Sequence, residues 1–344
     1  MGSGSPAKFR IVLDAMGGDF SPVNEVIASG DIIKNHPEID LILTGDKEAI
    51  LKTMAEKGVA FPEDKIIHAS QKIEMSDSPV AALKKKPDSS ISVGCKYVAD
   101  GNAEAFVSAG NTGAVVTAST FILGRIEGIE RPTMGTFFPS EKSVSTIFDV
   151  GAFVDSKPQH LLGYARMSSI YVREIYNIAS PAIGLLTVGE ESEKGGKTIK
   201  ETHALLKESG LNFFGNIEGR DILKGTVNIV LCDGFVGNIV LKFGESFPKF
   251  LKTLLKEYAS KSIWNKLKVL IVRSVLREAL SPLDYQYYGG VLLLGVKNVS
   301  IIGHGSSTPL AIKNMVLRAK DCIEKEVVKK ISAAIAESPM KESE

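Results

Sequence analysis

This sequence predicts an α/β protein with a mainly parallel sheet covered by helices on both faces, on three observations. Short apolar runs alternate with helical segments along most of the 344 residues, and glycine-bearing polar turns close the runs. Five runs end alike, at Asp14, Asn111, Asp149, Asp233 and His304, each within three residues of a glycine. A content of 44% hydrophobic and 24% charged residues supplies a sizeable core.

Taken in order, residues 1–7 read as an added Gly/Ser leader, 8–336 as one α/β domain and 337–344 as a polar tail. Residues 9–13 predict a buried strand ending at Asp14, and Gly17-Gly18 turns the chain toward a helix opened by Ser21-Pro22. Asp19 is expected only to shape that turn. Residues 40–44 are the next strand, followed by a polar helix after Gly45-Asp46. The stretch 73–97 is less regular: Lys84, Lys85 and Lys86 read as a solvated helix end, and Ser89 and Ser90 as the cap of another helix. Residues 105–107 form a central strand and 114–123 a packed helix. Beyond Arg131-Pro132 the pattern predicts a strand at 144–150, a helix at 161–176, and strands at 182–188, 227–231 and 299–302. A last helix covers 323–335.

Composition excludes several classes. Lys+Arg 41 against Asp+Glu 40 gives no global case for a nucleic-acid partner. Cys95, Cys232 and Cys322 are odd in number and far apart, which predicts neither a disulfide framework nor a zinc site but a reduced, cytoplasmic chain. No apolar run is long enough to span a bilayer. Residues 189–198, GEESEKGGKT, end like a phosphate-binding P-loop. Glu191 stands where that motif wants glycine, and Glu190 and Glu191 oppose a triphosphate, so the segment is expected to be a polar loop before a helix at 203–206.

The turn Ser108-Ala-Gly110-Asn111-Thr112-Gly113 carries the sharpest chemistry. Gly110 and Gly113 permit close backbone approach, Asn111 and Thr112 are good caps, and the first amides of the following helix face outward. Such a helix start is an anion site, for phosphate or for an oxyanion. In a parallel sheet all five polar turns share one edge, so Asp14, Asn111, Asp149, Asp233 and His304 are expected to meet there. Lys157, after Asp149 and Asp155, would add a full positive charge against phosphate, with the two aspartates holding its ammonium or simply forming the turn.

Residues 242–280 differ from the rest. Phe247, Phe250, Leu251, Leu254, Leu255 and Tyr258 fall on one helical face, a second amphipathic helix follows from 263, and nine Lys/Arg stand against three Glu. A helical hairpin insertion at about 244–281 suits a dimer contact, a docking surface for an acidic protein, or an interfacial membrane element.

In order along the chain, DAMGGD from Asp14, MSDSPVAALKKKPDSS from Met75, VSAGNTGA from Val107, DVGAFVDSKP from Asp149, GNIEGRDI from Gly215, CDGFVGNIVLK from Cys232 and HGSS from His304 are similar to the motifs of the phosphate acyltransferase family of bacterial phospholipid synthesis, the PlsX type. The resemblance implies a three-layer α/β/α fold like those of isocitrate and isopropylmalate dehydrogenases and of phosphotransacetylases. It also implies fatty acyl transfer from acyl carrier protein to orthophosphate, a homodimer, and peripheral attachment to the inner membrane face. Phe153 stands where the family has asparagine, Thr187 where asparagine precedes Gly-Glu-Glu, and Met167-Ser168 where Met-Gly is usual.

Acyl transfer to phosphate needs a bound dianion, a thioester carbonyl and a stabilised oxyanion, but neither a covalent nucleophile nor a metal or other cofactor. On that reading Gly110, Thr112, Gly113 and Lys157 hold phosphate, and Asn111 donates to phosphate or oxyanion. Asp14 and Asp233 orient donors, Asp149 and Asn238 complete the substrate site, and His304 protonates the leaving thiolate. The competing classes are a phosphotransacetylase acting on short-chain acyl-CoA, an NAD(P)-linked decarboxylating dehydrogenase, and a non-enzymatic module that binds carrier protein or lipid. The dehydrogenase lacks both a GxGxxG turn and a cluster of metal-binding aspartates here.

Overall fold

A computed structural model describes residues 9–142, 144–279 and 285–337. The expected leader, and the tail after Glu337, lie outside the described residues. The chain runs β1 (Phe9–Asp14), α1 (Val23–Asn35), β2 (Ile39–Gly45), α2 (Lys47–Lys57), β3 (Ile66–His68), α3 (Pro79–Lys85), α4 (Ser90–Ala99), β4 (Ala105–Ser108) and α5 (Thr112–Ala118). It continues through β5 (Thr133–Phe138), β6 (Ser145–Phe148), α6 (Pro158–Tyr176), β7 (Ile183–Leu186), α7 (Lys197–Glu208), β8 (Phe213–Ile217), α8 (Gly219–Lys224) and β9 (Ile229–Leu231). Last come α9 (Gly234–Ser260), α10 (Ile263–Ala279), β10 (Val291–Leu294), β11 (Val299–Ile302), α11 (Pro309–Glu324) and α12 (Val327–Glu337).

All the strands join one sheet of 11, in the order β3-β2-β1-β4-β11-β10-β5-β6-β9-β7-β8. Successive residues of a strand face opposite sides of it. Ile11, Leu13, Val107, Ile229, Leu231 and Ile301 therefore enter one apolar core, while Val12, Phe106, Val230 and Ile302 enter another. Residues of α1, α6, α11 and α12 fill the first and residues of α4, α5 and α8 the second, so both faces of the sheet are covered.

The expected mainly parallel sheet is present, with one consequence the sequence reading missed. β3, β2, β1, β4 and β11 run parallel, and β6, β9, β7 and β8 also run parallel to one another. Between the groups, β10 is antiparallel to β11 and to β5, and β5 is antiparallel to β6. The links 139–144 and 295–298 are short, and a short link can join only antiparallel neighbours. Three reversals in a row leave the β6 group pointing opposite to the β1 group. β3, β5, β8 and β10 were not anticipated as strands, and two of them carry the reversal.

Two helix limits also differ from expectation. α7 begins at Lys197 rather than at 203, absorbing the end of the false P-loop. The helix that Phe235 to Asn238 were expected to start does not end before the hairpin expected from about 244: α9, capped by Asp233 accepting from the amide of Val236, runs 27 residues from Gly234 through Pro248 and is itself the first hairpin helix. α10 packs on α9, and Lys261-Ser262 joins them. The expected hairpin end at Leu280 and Ser281 lies outside the described residues.

Candidate functional site

The strand directions divide the expected site in two. Asp14, the Gly110–Gly113 turn and His304 follow β1, β4 and β11, at one edge of the sheet. Asp149, Lys157, Asp233 and Asn238 follow β6 and β9, whose carboxyl ends lie at the other edge. The single shared edge of five turns is thus corrected to three and two. A parallel sheet aligns all its carboxyl ends only while no antiparallel strand intervenes.

At the first edge the turns interlock. A β-carbon on Gly17 would lie 2.6 Å from the Gly110 nitrogen, so the turns after β1 and β4 touch backbone to backbone, which only glycine allows. Asp14 is fully buried; it accepts from Met16 N at 3.0 Å and from Ser108 Oγ at 2.6 Å, and that hydroxyl accepts in turn from Gly110 N at 3.0 Å. Asp14 therefore orients the turn through Ser108, and burial holds its carboxyl above the usual range. The turn after β11 joins through the amide of Asp19, which donates to Gly305 O at 2.8 Å. His304 is exposed. Its Nδ1 accepts from the Ser306 amide at 3.2 Å, which leaves Nε2 to carry the proton of the neutral ring.

Asn111 is placed differently from expectation. Its Oδ1 accepts from Ala114 N at 3.0 Å, the cap of α5, while Nδ2 donates toward the carbonyls of Glu74 at 3.2 Å, Met75 at 3.1 Å and Asp77 at 3.1 Å. The side chain is committed to the chain's own 74–77 loop rather than presented to a substrate. It leaves the amides of Thr112 and Gly113, the first of the helix, without an intrahelical acceptor, and α5 continues directly into a π-helical turn to Leu123.

That loop walls a cavity of about 410 Å³ lined by Gly17, Gly18, Asp19 and residues 72–76. Lys72 was not singled out in the sequence. A lone loop lysine carries no local signal, yet it lines the cavity and its Nζ donates to Ser21 Oγ at 3.3 Å. Glu25 on α1 was also missed. It is 1% exposed and lies against Gly18, and burial, with the negative Asp14 adding to it, pushes its carboxyl up to about 8. An acid in the first turn of a helix is common and carries no signal by itself.

The second edge is a structural knot. Asp149 is buried, accepts from the amides of Met134, Gly151, Ala152 and Phe153 at 3.0–3.2 Å, and burial pushes it up to about 6. Gly237 packs against it so closely that a β-carbon would fall 1.7 Å from Asp149 O. Asp233 spends its side chain on the α9 cap, Asn238 lies against Gly151, and Lys157 is exposed at the start of α6. Phe153, in the asparagine position, packs its ring under the Arg131 guanidinium at 5.2 Å. All three cysteines are buried, and burial holds their thiols up. Among the described residues no group of three His, Cys, Asp or Glu is placed to hold a metal ion, and no helix is long and apolar enough to cross a membrane.

Comparison with known proteins places this geometry among relatives. A family model described as "Fatty acid synthesis protein" matches residues 9–330. A phosphate acyltransferase of Halothermothrix orenii is 43% identical over 323 residues, covering 93% of this chain and 96% of the relative. One of Pelotomaculum thermopropionicum is 41% identical over 326 residues, covering 95% of each. Among solved structures, a phosphotransacetylase of Staphylococcus aureus superimposes with a TM-score of 0.60 at 12% identity, over 92% of this chain and 95% of its own, a likeness of fold alone.

Proposed function

The chain belongs to the phosphate acyltransferase family, and we propose that it moves a fatty acyl group from acyl carrier protein to orthophosphate at the β1–β4–β11 edge. The observation that carries this assignment is that the turns after β1, β4 and β11 pack on one another beside a cavity lined by the Gly17-Gly18 turn and Lys72. Phosphate lies between the Gly17-Gly18 backbone, the Lys72 ammonium and the free amides of Thr112 and Gly113, which supply positive field where the dianion and then the oxyanion sit. A phosphate oxygen forms the bond to the thioester carbonyl and the carbon–sulfur bond breaks. His304 Nε2–H donates a hydrogen bond to the departing sulfur, and the proton that phosphate gives up as its oxygen is acylated is taken up by the thiolate. Asn111 acts as a positioning residue: it fastens the 74–77 loop, and with it the lysine wall, to the anion turn.

The partner surface of this reading is the α9–α10 pair as a protruding hairpin. Phe243, Phe247 and Phe250 on α9 and Ile271 and Val275 on α10 are exposed in one chain, an apolar area that suits a homodimer. Trp264, 72% exposed, sits near the turn beside Lys261, Lys266 and Lys268, a mixture suited to an anionic headgroup surface. Two such tips on one dimer give reversible peripheral attachment at the cytoplasmic membrane face.

One assay decides the function. Long-chain acyl-carrier protein or acyl-CoA is offered with phosphate in excess chelator, and acyl phosphate is trapped with hydroxylamine. Product from the carrier-protein donor is expected. Product from short-chain acyl-CoA alone returns the phosphotransacetylase reading, and activity lost on chelation and restored by Mg²⁺ refutes a metal-independent mechanism.

A further inference from the structure

Two carboxyl groups stand behind the cavity that is read to hold phosphate, and whether they are charged decides how a dianion is received there. Asp14 is satisfied by Ser108 Oγ and Met16 N. Glu25 is not. A β-carbon on Gly18 would come within 2.6 Å of its Oε1, while its Oε2 is buried with no hydrogen-bond partner among the described residues. Gly18 itself lines the cavity, so Glu25 is separated from any ligand there by the thickness of one glycine.

The charges that bear on Glu25 come from every side of the cavity. Asp14 at the end of β1 is like in sign, and Lys72 on the loop after β3 is opposite. Asp19 and Glu74 line the rim, and His304 sits in the turn whose Gly305 meets Asp19. Among the described residues Lys72 is the one cation of the lining, set among four carboxyls and 3.9 Å from Glu74; it offsets a bound dianion only in part, and one more ionised carboxyl there works directly against it.

Resting on phosphate binding at this cavity, we propose that Glu25 is a positioning residue of the phosphate turn: through Gly18 it sets the field that an incoming dianion meets, so that anion affinity, and not the chemical step, falls when its carboxyl ionises. Lys72 draws the anion in, and Glu25 sets the alkaline limit of that attraction. The direction agrees with a carboxyl that burial keeps protonated to about 8.

Sulfate is the probe that isolates the effect, because its charge does not change between pH 7 and 9 whereas that of phosphate does. Sulfate affinity of the full chain is measured by calorimetry at constant ionic strength, for wild type and for Glu25→Gln, which keeps the shape of the protonated acid. The wild-type Kd is expected to rise on the order of tenfold from pH 7 to 9, the scale of one added like charge near the site, and that of the variant by less than twofold. The phosphate KM ratio between the two proteins follows the same course while the kcat ratio stays flat. Parallel slopes in the two proteins, a flat wild-type profile, or a kcat ratio that carries the pH dependence each overturn the proposal. If Glu25→Gln gives no cooperative melt, Glu25→Asp, which withdraws the carboxyl from Gly18 by one methylene, should show a shallower slope than wild type, and an equal slope overturns it. Failure to form acyl phosphate from any thioester sinks the functional reading while the sulfate profile still judges Glu25. Sulfate that fails to bind at pH 7 overturns this inference whatever the activity.

Discussion

Replacing Asn111 by alanine removes two things whose sizes follow from the structure. The first is the cap of α5, the 3.0 Å bond from Ala114 N to Oδ1, a contact whose loss costs about 1 kcal/mol. The second is the amide that reaches the carbonyls of Glu74, Met75 and Asp77; with two hydrogens to give, it contributes about 2 kcal/mol net. Asn111→Ala should therefore destabilise by about 3 kcal/mol, which lowers the melting temperature by roughly 4 °C in a chain of this length. Activity should fall by about ten- to a hundred-fold, because the loop that carries Lys72 is no longer fastened to the anion turn. Asn111→Ser separates the two contributions, since serine caps a helix but cannot span the loop. It should recover about 1 kcal/mol of stability and little of the activity. Denaturant titration and hydroxylamine trapping give both numbers. An Asn111→Ala protein that melts with wild type and yet loses activity would mean that the amide acts on substrate, and the positioning argument would fall.

Lys72→Met should raise the phosphate KM by about tenfold, the loss of one charge-assisted contact, and Lys157→Met should change it far less; the reverse pattern moves the anion site to the Asp149 edge. Glu25 binds its proton more tightly folded, at about 8, than unfolded, near 4.5, so its contribution to stability is fully present below 4.5 and lost as pH rises through 8. Glu25→Gln should thus gain on wild type across that window by up to about 5 kcal/mol and no further above it; denaturant curves at pH 5, 7 and 9 that stay parallel would contradict this. Trp264→Ser combined with Lys266→Glu should release the protein from anionic vesicles in co-sedimentation while soluble acyl transfer continues, and a variant that still sediments disproves the membrane contact.

What the sequence determined by itself is whatever depends on near neighbours. The strand at Phe9–Asp14, the helix capped by Ser89, the cap at Asn111 and the false P-loop at 189–198 follow from apolar period, capping chemistry and the needs of a glycine turn, all settled within about ten residues. The ordered motifs named the family for the same reason, since they are local signatures. Which turns meet was decided only by the tertiary structure. Two short links set β5 against β6 and β10 against β11, the antiparallel pairing of β10 with β5 adds a third reversal, and the net change of direction carries Asp149 and Asp233 away from Asp14 and His304, although all four turns look alike in the chain. The same holds for single side chains. Asn111 is a cap by its position, but the three carbonyls that occupy its amide lie 34 to 37 residues back. Lys72 and Glu25 carry no local signal because their meaning is electrostatic, set by charges and glycine backbone that only folding brings within a few ångströms of them.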